Sequence, residues 1–316
     1  MKGAMVKNSI KPKLSRNGKR TIFIVLMLAY PVLHFLLLWL FVNINTFVMS
    51  FQRVGADIND PETFGKTIFA GFLQYKAVIG NILHNESTQR MLRNSLLYLP
   101  ITLFELCLSI VFSYFLYKKM PLSNVFRVIY FLPSIIPIVV LTFVFSFVFD
   151  SSYGLINPLL HAIGVTSVPN WFGVYPLNQI MIFVYCIWAG LGYNIILLSG
   201  SISRIPESVI EYGKLEGIGY MRELFQVVIP LIWPTISTIV VLACTSVFTV
   251  MLQPLMLTPG DSSTNTIALS IYNGVLAGEA KYPYLSAFGL CISAIGIPVI
   301  MIIRKLVEKP FSDVEF

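Results

Sequence analysis

Glu211-Tyr-Gly-Lys-Leu-Glu216-Gly217-Ile-Gly-Tyr-Met-Arg-Glu-Leu-Phe-Gln-Val-Val-Ile-Pro230 is a polar interruption in a chain otherwise built for lipid. One hydrophobic run precedes it and another follows it. Its charges and glycines read as a short helix, a turn and a second helix held at a membrane face. Such a piece is suited to docking a soluble partner. A chain that carries it would move something across the membrane while another protein supplies the energy.

Composition sets the class. Hydrophobic residues make up 56% of the chain and charged residues 12%, against about 25% charged in an average soluble domain. Six apolar runs, 21–49, 95–117, 128–149, 177–198, 227–252 and 284–303, are each long enough for a bilayer, which takes about 20 residues. A backbone in lipid must satisfy its own N–H and C=O groups, so helices are expected. A β-barrel would alternate in segments of about ten residues, whereas these runs are continuous. The sequence predicts an all-α polytopic membrane protein with six transmembrane helices.

Charge sets the orientation. Residues 1–20 carry Lys2, Lys7, Lys11, Lys13, Arg16, Lys19 and Arg20 and no acid. Basic tails often bind nucleic acid, but beside a spanning helix this one reads as topogenic, and no nucleic-acid partner is expected. With the tail inside, Lys118, Lys119, Arg127, Arg204, Lys214, Arg222, Arg304, Lys305 and Lys309 also fall inside. Inside then holds 16 of the Lys and Arg and outside six. Both termini are expected in the cytoplasm. The first run is longer than a signal-peptide core and shows no small-residue cleavage site, so it is expected to stay as a helix. The resulting division is a basic tail 1–20, a first helix 21–49, an extracytoplasmic segment 50–93, a five-helix core 94–304 containing the inner loop 201–230, and a tail 305–316.

Several chemistries are excluded. Cys107, Cys186, Cys244 and Cys291 all lie in expected spans and offer no CxxC pair. His34, His84 and His161 are too scattered for a metal cluster. Gly65-Lys66-Thr67 has the end of a phosphate-binding loop, but Asp60 stands where the first glycine must be. Gly213 and Gly217 have helix-pairing spacing, yet they sit in the polar loop, where freedom at a turn is the expected role. Glu105 and His34 are the clear ionisable residues inside spans. An intramembrane carboxylate is a functional candidate, but one Glu without a basic partner makes a poor proton relay, and a bond to a neighbouring helix also accounts for it.

The inner loop has its own grammar. Pro206 suits a first helical position, and Glu207 lies where the helix dipole favours an anion. Ile205, Val209 and Tyr212 are expected to share an apolar face. Glu207 and Glu211 share another face as like charges, unless a cation answers them. Gly217 and Gly219 permit a bend, and Leu224, Phe225 and Val228 begin a new apolar face. From 201 to 226 there are four acids and three bases, so the loop is acidic on the side where positive charge is usual. A partner with a basic groove would explain that.

These residues resemble the EAA motif of binding-protein-dependent ABC importer permeases. In that motif a Glu-Ala-Ala start is followed by Asp-Gly-Ala and ends in proline. Glu211, Gly217 and Pro230 match its spacing, while Tyr212, Gly213, Glu216 and Ile218 depart from it. Trp188-Ala-Gly-Leu-Gly192-Tyr193-Asn194 followed by Ile205-Pro206-Glu207 is similar to the maltose-type, sugar-importing branch. So are Phe131-Leu-Pro133, Tyr153-Gly154-Leu155-Ile-Asn157, and Leu257-Thr258-Pro259-Gly260-Asp261 ahead of Thr266 and Tyr272. The resemblance covers most of the chain and is weakest over 1–20 and 52–90.

It implies a type I ABC importer fold. The expected partners are a second related permease, two cytoplasmic ATP-binding subunits, an extracytoplasmic solute-binding protein, membrane lipid and a sugar as cargo. ATP and Mg would be used by the ATPases, with no cofactor, metal or catalysis in this chain. Glu207, Glu211, Lys214, Glu216, Gly217, Gly219 and Pro230 are the implied ATPase-coupling positions. The implied substrate pathway comprises Cys186, Ala189, Gly190, Tyr193 and Asn194 before the loop, and Ser246, Val247, Thr249, Val250 and Gln253 after it. Trp188 reads as structural. Two other readings stay open: an importer of amino acids, phosphate or peptides, which should need lining charges, and a secondary carrier with no ATPase.

Overall fold

The computed structural model describes residues 16–55, 65–259 and 262–309. The lysines of 1–15, Asp60, Gly260-Asp261 and residues 310–316 lie outside the described residues. The first helix runs as α1 (Arg16–His34), a π-helical turn (Phe35–Leu40) and α2 (Phe41–Met49). The outer segment contains β1 (Gln52–Val54) paired antiparallel with β2 (Thr67–Phe69), then α3 (Leu73–His84). There follow α4 (Glu86–Tyr117), α5 (Ser123–Ile135), α6 (Ile138–Val148), α7 (Asn157–Ala162) and α8 (Leu177–Ile202). The inner loop supplies α9 (Glu207–Leu215), α10 (Tyr220–Glu223), a π turn (Leu224–Val228) and α11 (Ile229–Leu231). Last come α12 (Trp233–Thr249), α13 (Leu252–Leu257), α14 (Ile267–Leu276) and α15 (Tyr282–Glu308).

Four of these are long and apolar enough to cross a membrane, or six if each bent pair is one span. The bends correct two expectations. The run 128–149 is two helices, α5 and α6, meeting at 112°. Ile136 and Pro137 between them are extended, with ψ of 134° and 135°. Pro137 lacks an N–H and disfavours helical geometry in the residue before it. The run 227–252 bends by 77° between Tyr220–Leu231 and Trp233–Thr249. Pro230 and Pro234 flank that bend, and each withholds a ladder hydrogen bond. Span five therefore begins near Trp233.

The outer segment expected over 50–93 takes in the first two turns of α4. That helix begins at Glu86, and its start is fixed by Asn85, a residue that accepts from the backbone N–H of Ser87 at 2.9 Å and of Thr88 at 3.2 Å. Glu86 adds an anion where the dipole favours one.

The core forms around α4, which packs along α8, α12 and α5. Towards the inner loop, one buried cluster joins Leu106, Ile110 and Tyr114 of α4 to Ile202 of α8, Ile210 of α9 and Ile236 of α12. Towards the opposite end, Tyr98, Phe145, Ile182 and Tyr185 form a second cluster. The first helix differs, because the most apolar window of Gly18–Met49 has no residue buried by the rest of the chain.

Small residues set how closely α8 approaches its neighbours. A methyl at Gly192 would lie 2.5 Å from the carbonyl oxygen of Tyr130 and against the Ser134 hydroxyl. We expect Gly192→Ala to force α5 off α8, costing about 1–3 kcal/mol and lowering the apparent melting midpoint of the detergent-solubilised protein. Gly200→Ala, where nothing lies within 4 Å of the new carbon, should leave it unchanged.

Candidate functional site

A cavity of about 480 Å³ lies between α4, α5, α6, α8, α12 and α13. From α8 it is lined by Cys186, Ala189 and Gly190, and from beyond the loop by Ser246, Val250 and Gln253. These are six of the expected pathway positions, drawn from two distant stretches of sequence. Asn194, one turn along α8 from Gly190, reaches it indirectly, donating from Nδ2 to Glu105 Oε1 at 2.8 Å. Tyr193, Val247 and Thr249 lie outside it. Tyr193 is 58% exposed, and Thr249 lines a separate hollow with Phe248 and Gly296.

The wall is completed by Tyr98, Thr102 and Glu105 of α4, Tyr185 of α8, Pro133 and Ser134 of α5, and the apolar Ile136, Ile138 and Leu141 around the α5–α6 bend. Of these the sequence reading singles out Glu105, as a candidate or a link to a neighbouring helix, and Pro133 within a motif. Tyr98, Thr102, Glu105, Ser109 and Ser113 recur every three or four residues, which places them on one face of α4. That polar stripe within an apolar helix is the signal that could have found them. Glu105 is 6% exposed. It fits there because α8 has no side chain opposite: a methyl at Gly190 would lie 2.6 Å from Glu105 Cδ and 2.7 Å from Oε2. The polar wall can thus offer hydroxyls, amides and one carboxylate to a solute, and among the described residues no Lys, Arg or His lines it. Trp188 packs instead against Phe145, ring centroids 5.9 Å apart.

The inner loop forms an elbow. Pro206 is the cap of α9 and not its first residue. The helix ends in a Schellman closure: Ile218 N–H donates to Gly213 O at 3.0 Å and Gly217 N–H to Lys214 O at 3.1 Å. Gly217 takes φ +73°, the left-handed geometry this closure requires and glycine adopts without strain. Gly219 is extended, with φ −73° and ψ 157°, so the bend belongs to Gly217. The buried face of α9 is Ile210 and Gly213 with Ile205 beside it. Tyr212, expected there, is 71% exposed, and Phe225 is exposed as well. The outer surface carries Glu207, Glu211, Lys214 and Glu216 together with exposed Tyr212, Leu215, Tyr220 and Met221. Pro230 is half-buried at the start of the turn into α12.

A buried ion pair fixes the elbow to the bundle. Lys118 Nζ, just past the end of α4, lies 2.5 Å from Glu223 Oε1, with the two side chains 9% and 3% exposed. The ammonium also sits 5.4 Å from the Tyr114 ring and 5.8 Å from that of Tyr220, within cation–π range. Charge counting had treated Lys118 as topogenic and Glu223 as part of an acidic loop.

A polytopic helical protein with an internal cavity carrying one polar wall and a charged elbow at one end has the form of a transport permease. The chain belongs to the family described as binding-protein-dependent transport system inner membrane component, whose model matches residues 105–312. It is 28% identical over 215 residues to a probable ABC transporter permease protein, YurN, of Bacillus subtilis (strain 168), covering 65% of this chain and 73% of that one. It is 23% identical over 282 residues to the arabinooligosaccharides transport system permease protein AraP of the same organism, covering 87% and 85%. The fold matches a chain of a bacterial ABC transporter involved in the import of the acidic polysaccharide alginate. The TM-score is 0.78 at 19% identity, over 93% of this chain and 98% of that one. A structure of a bacterial alginate ABC transporter in complex with alginate pentasaccharide-bound periplasmic protein also scores 0.78, at 18% identity over 95% and 99%.

Removing one member of a buried ion pair strands the other charge, at a cost of about 3–5 kcal/mol. Lys118→Met and Glu223→Leu should each lower the apparent melting midpoint, while the double variant should recover much of the loss. A double-mutant cycle on the solubilised protein reads this directly.

Proposed function

We propose that this chain is the permease subunit of an ATP-driven ABC importer that carries a sugar or oligosaccharide. The observation that carries the reading is one helix, α8, which lines a cavity bearing polar groups over residues 185–190 and ends at the elbow. The names of relatives such as AraP support a saccharide as cargo. In this reading a second related permease completes the pathway, two cytoplasmic ATP-binding subunits dock on the elbow, and a solute-binding protein delivers cargo from outside. ATP and Mg act in those subunits, and this chain performs no catalysis. Both termini face the cytoplasm of a bacterial inner membrane, as the charge bias of the loops requires. The apolar, unburied first helix meets lipid or the second permease.

Glu207, Glu211, Lys214 and Glu216 give the elbow a charged rim around an apolar centre of Tyr212, Leu215, Tyr220 and Met221. That pattern suits a groove that is basic at its edge and apolar at its floor. Cys186, Ala189, Gly190, Ser246, Val250 and Gln253 form this chain's share of the pathway, and Tyr193, Val247 and Thr249 become pathway residues only where the second permease packs against them.

Purifying the assembled complex with its binding protein and identifying the bound solute by mass spectrometry tests the cargo. Coupling is tested by two substitutions. Gly217→Pro sets a ring that fixes φ at roughly −65° where the chain needs +73°. Glu211→Lys reverses a rim charge. Both should leave the protein inserted while abolishing most ATP-dependent uptake in proteoliposomes, and normal uptake with both would remove the elbow from the ATPase contact.

A further inference from the structure

Glu105 is a buried carboxylate facing a cavity, and among the described residues no cation answers it. Among the described residues Asn194 is the donor to it, on Oε1, and no Lys, Arg or His lines the cavity. Asn194 and the vacancy at Gly190 hold the carboxylate in place, since any side chain on residue 190 would occupy the same space. A charge kept in a low-dielectric wall is costly unless polar groups solvate it. Here the solvating groups must come from whatever fills the cavity.

We propose that Glu105 selects the class of cargo. Its Oε2 accepts hydrogen bonds from hydroxyls of a neutral saccharide, and its negative charge turns away saccharides bearing carboxylates. The inference rests on the saccharide-import reading above and narrows it. A carboxylate suits sugar hydroxyls because it is acceptor-only and its charge-assisted bonds are roughly twice as strong as neutral ones. Thr102, Ser134, Ser246 and Gln253 around the same cavity supply both donors and acceptors for the remaining hydroxyls. A uronate would meet like charge with no cation from this chain's described lining to offset it. This permease therefore shares its fold with an alginate importer but has a wall of the wrong sign for an acidic polysaccharide.

The test reads the sign of the field inside the cavity without needing to know the cargo. Ser246→Cys is made the sole thiol of this chain in the assembled importer, with Cys107, Cys186, Cys244 and Cys291 each replaced by Ala, and labelling is read on this subunit alone by mass spectrometry. The thiol is modified in mildly alkaline buffer by two methanethiosulfonates of similar size, one ending in an ammonium and one in a sulfonate. Their rate ratio is normalised to a free thiol. We expect the ratio to favour the cation and to fall about tenfold or more in Glu105→Gln, the scale of a unit charge acting over several ångströms at an effective dielectric of about 20. Glu105→Asp should keep the bias. An unbiased parent, or a ratio unchanged by Glu105→Gln, overturns the proposal. If Glu105→Gln does not assemble, the parent's normalised ratio decides alone, and a value near one overturns it. The import reading fails on different grounds: no ATP-dependent uptake of any neutral oligosaccharide by the complex with its binding protein, whatever the labelling ratio.

Discussion

The close approach of α4 and α8 governs what this bundle can do. Between helices in lipid there is no hydrophobic drive, so packing and interhelical hydrogen bonds must hold them. Gly190 lets the Glu105 carboxylate come against α8, and one turn on Asn194 bonds it at 2.8 Å. Gly192, on a different side of α8, admits α5 at Tyr130 and Ser134. Two glycines two residues apart thus bring two different neighbours onto one helix. Cavity, polar wall and inner cluster all take their spacing from that junction.

The same helix joins the cavity to the elbow. From Gly190 it continues through Ile195 and Leu198, fully buried, to Ile202. Ile202 shares a buried cluster with Ile210 of α9 and Leu224 and Val228 of the return segment. The elbow is therefore packed into the bundle and not hung from it. The Lys118–Glu223 pair adds a second attachment, to the end of α4. α9 is thus joined to α4 and α8, both of which line the cavity, by contiguous packing, the kind of physical network through which distant sites can be coupled.

The class of fold was legible because lipid is an exacting solvent. Long apolar runs and backbone self-satisfaction leave few architectures. The loop was legible because its glycine and proline have fixed conformational meaning. Gly217 is left-handed, as the bend demanded. The broken spans were harder to read, since hydropathy ignores direction: Ile136-Pro137 and Pro230 to Pro234 are apolar, yet they turn the chain by 112° and 77°. On α9 the spacing 205, 209, 212 was read as one face; Ile205 and Val209 do pack on the inner cluster beside Ile210, while Tyr212 is exposed and Gly213 is the buried residue next to it. The cavity was half legible. Motif spacing located its α8 and α12 walls, while the α4 wall needed the polar stripe to be read as inward-facing. The partner of Lys118 was out of reach, because nothing in sequence brings residues 118 and 223 together before the fold is known.

Charge in this protein is scarce enough to be interpreted group by group. Lys118 and Glu223 answer each other at the membrane end, where losing either would strand a buried ion. Glu105 has no such partner. Asn194 is a dipole, able to orient the carboxylate and not to neutralise it. An arrangement that only joined α4 to α8 could use a neutral amide at position 105 just as well and avoid burying an acid. Keeping a carboxylate at the wall of a cavity, held from one side and open on the other, makes the bundle incomplete until a polar solute enters. On the proposed reading the cavity would bind its cargo through a group whose own solvation improves on filling.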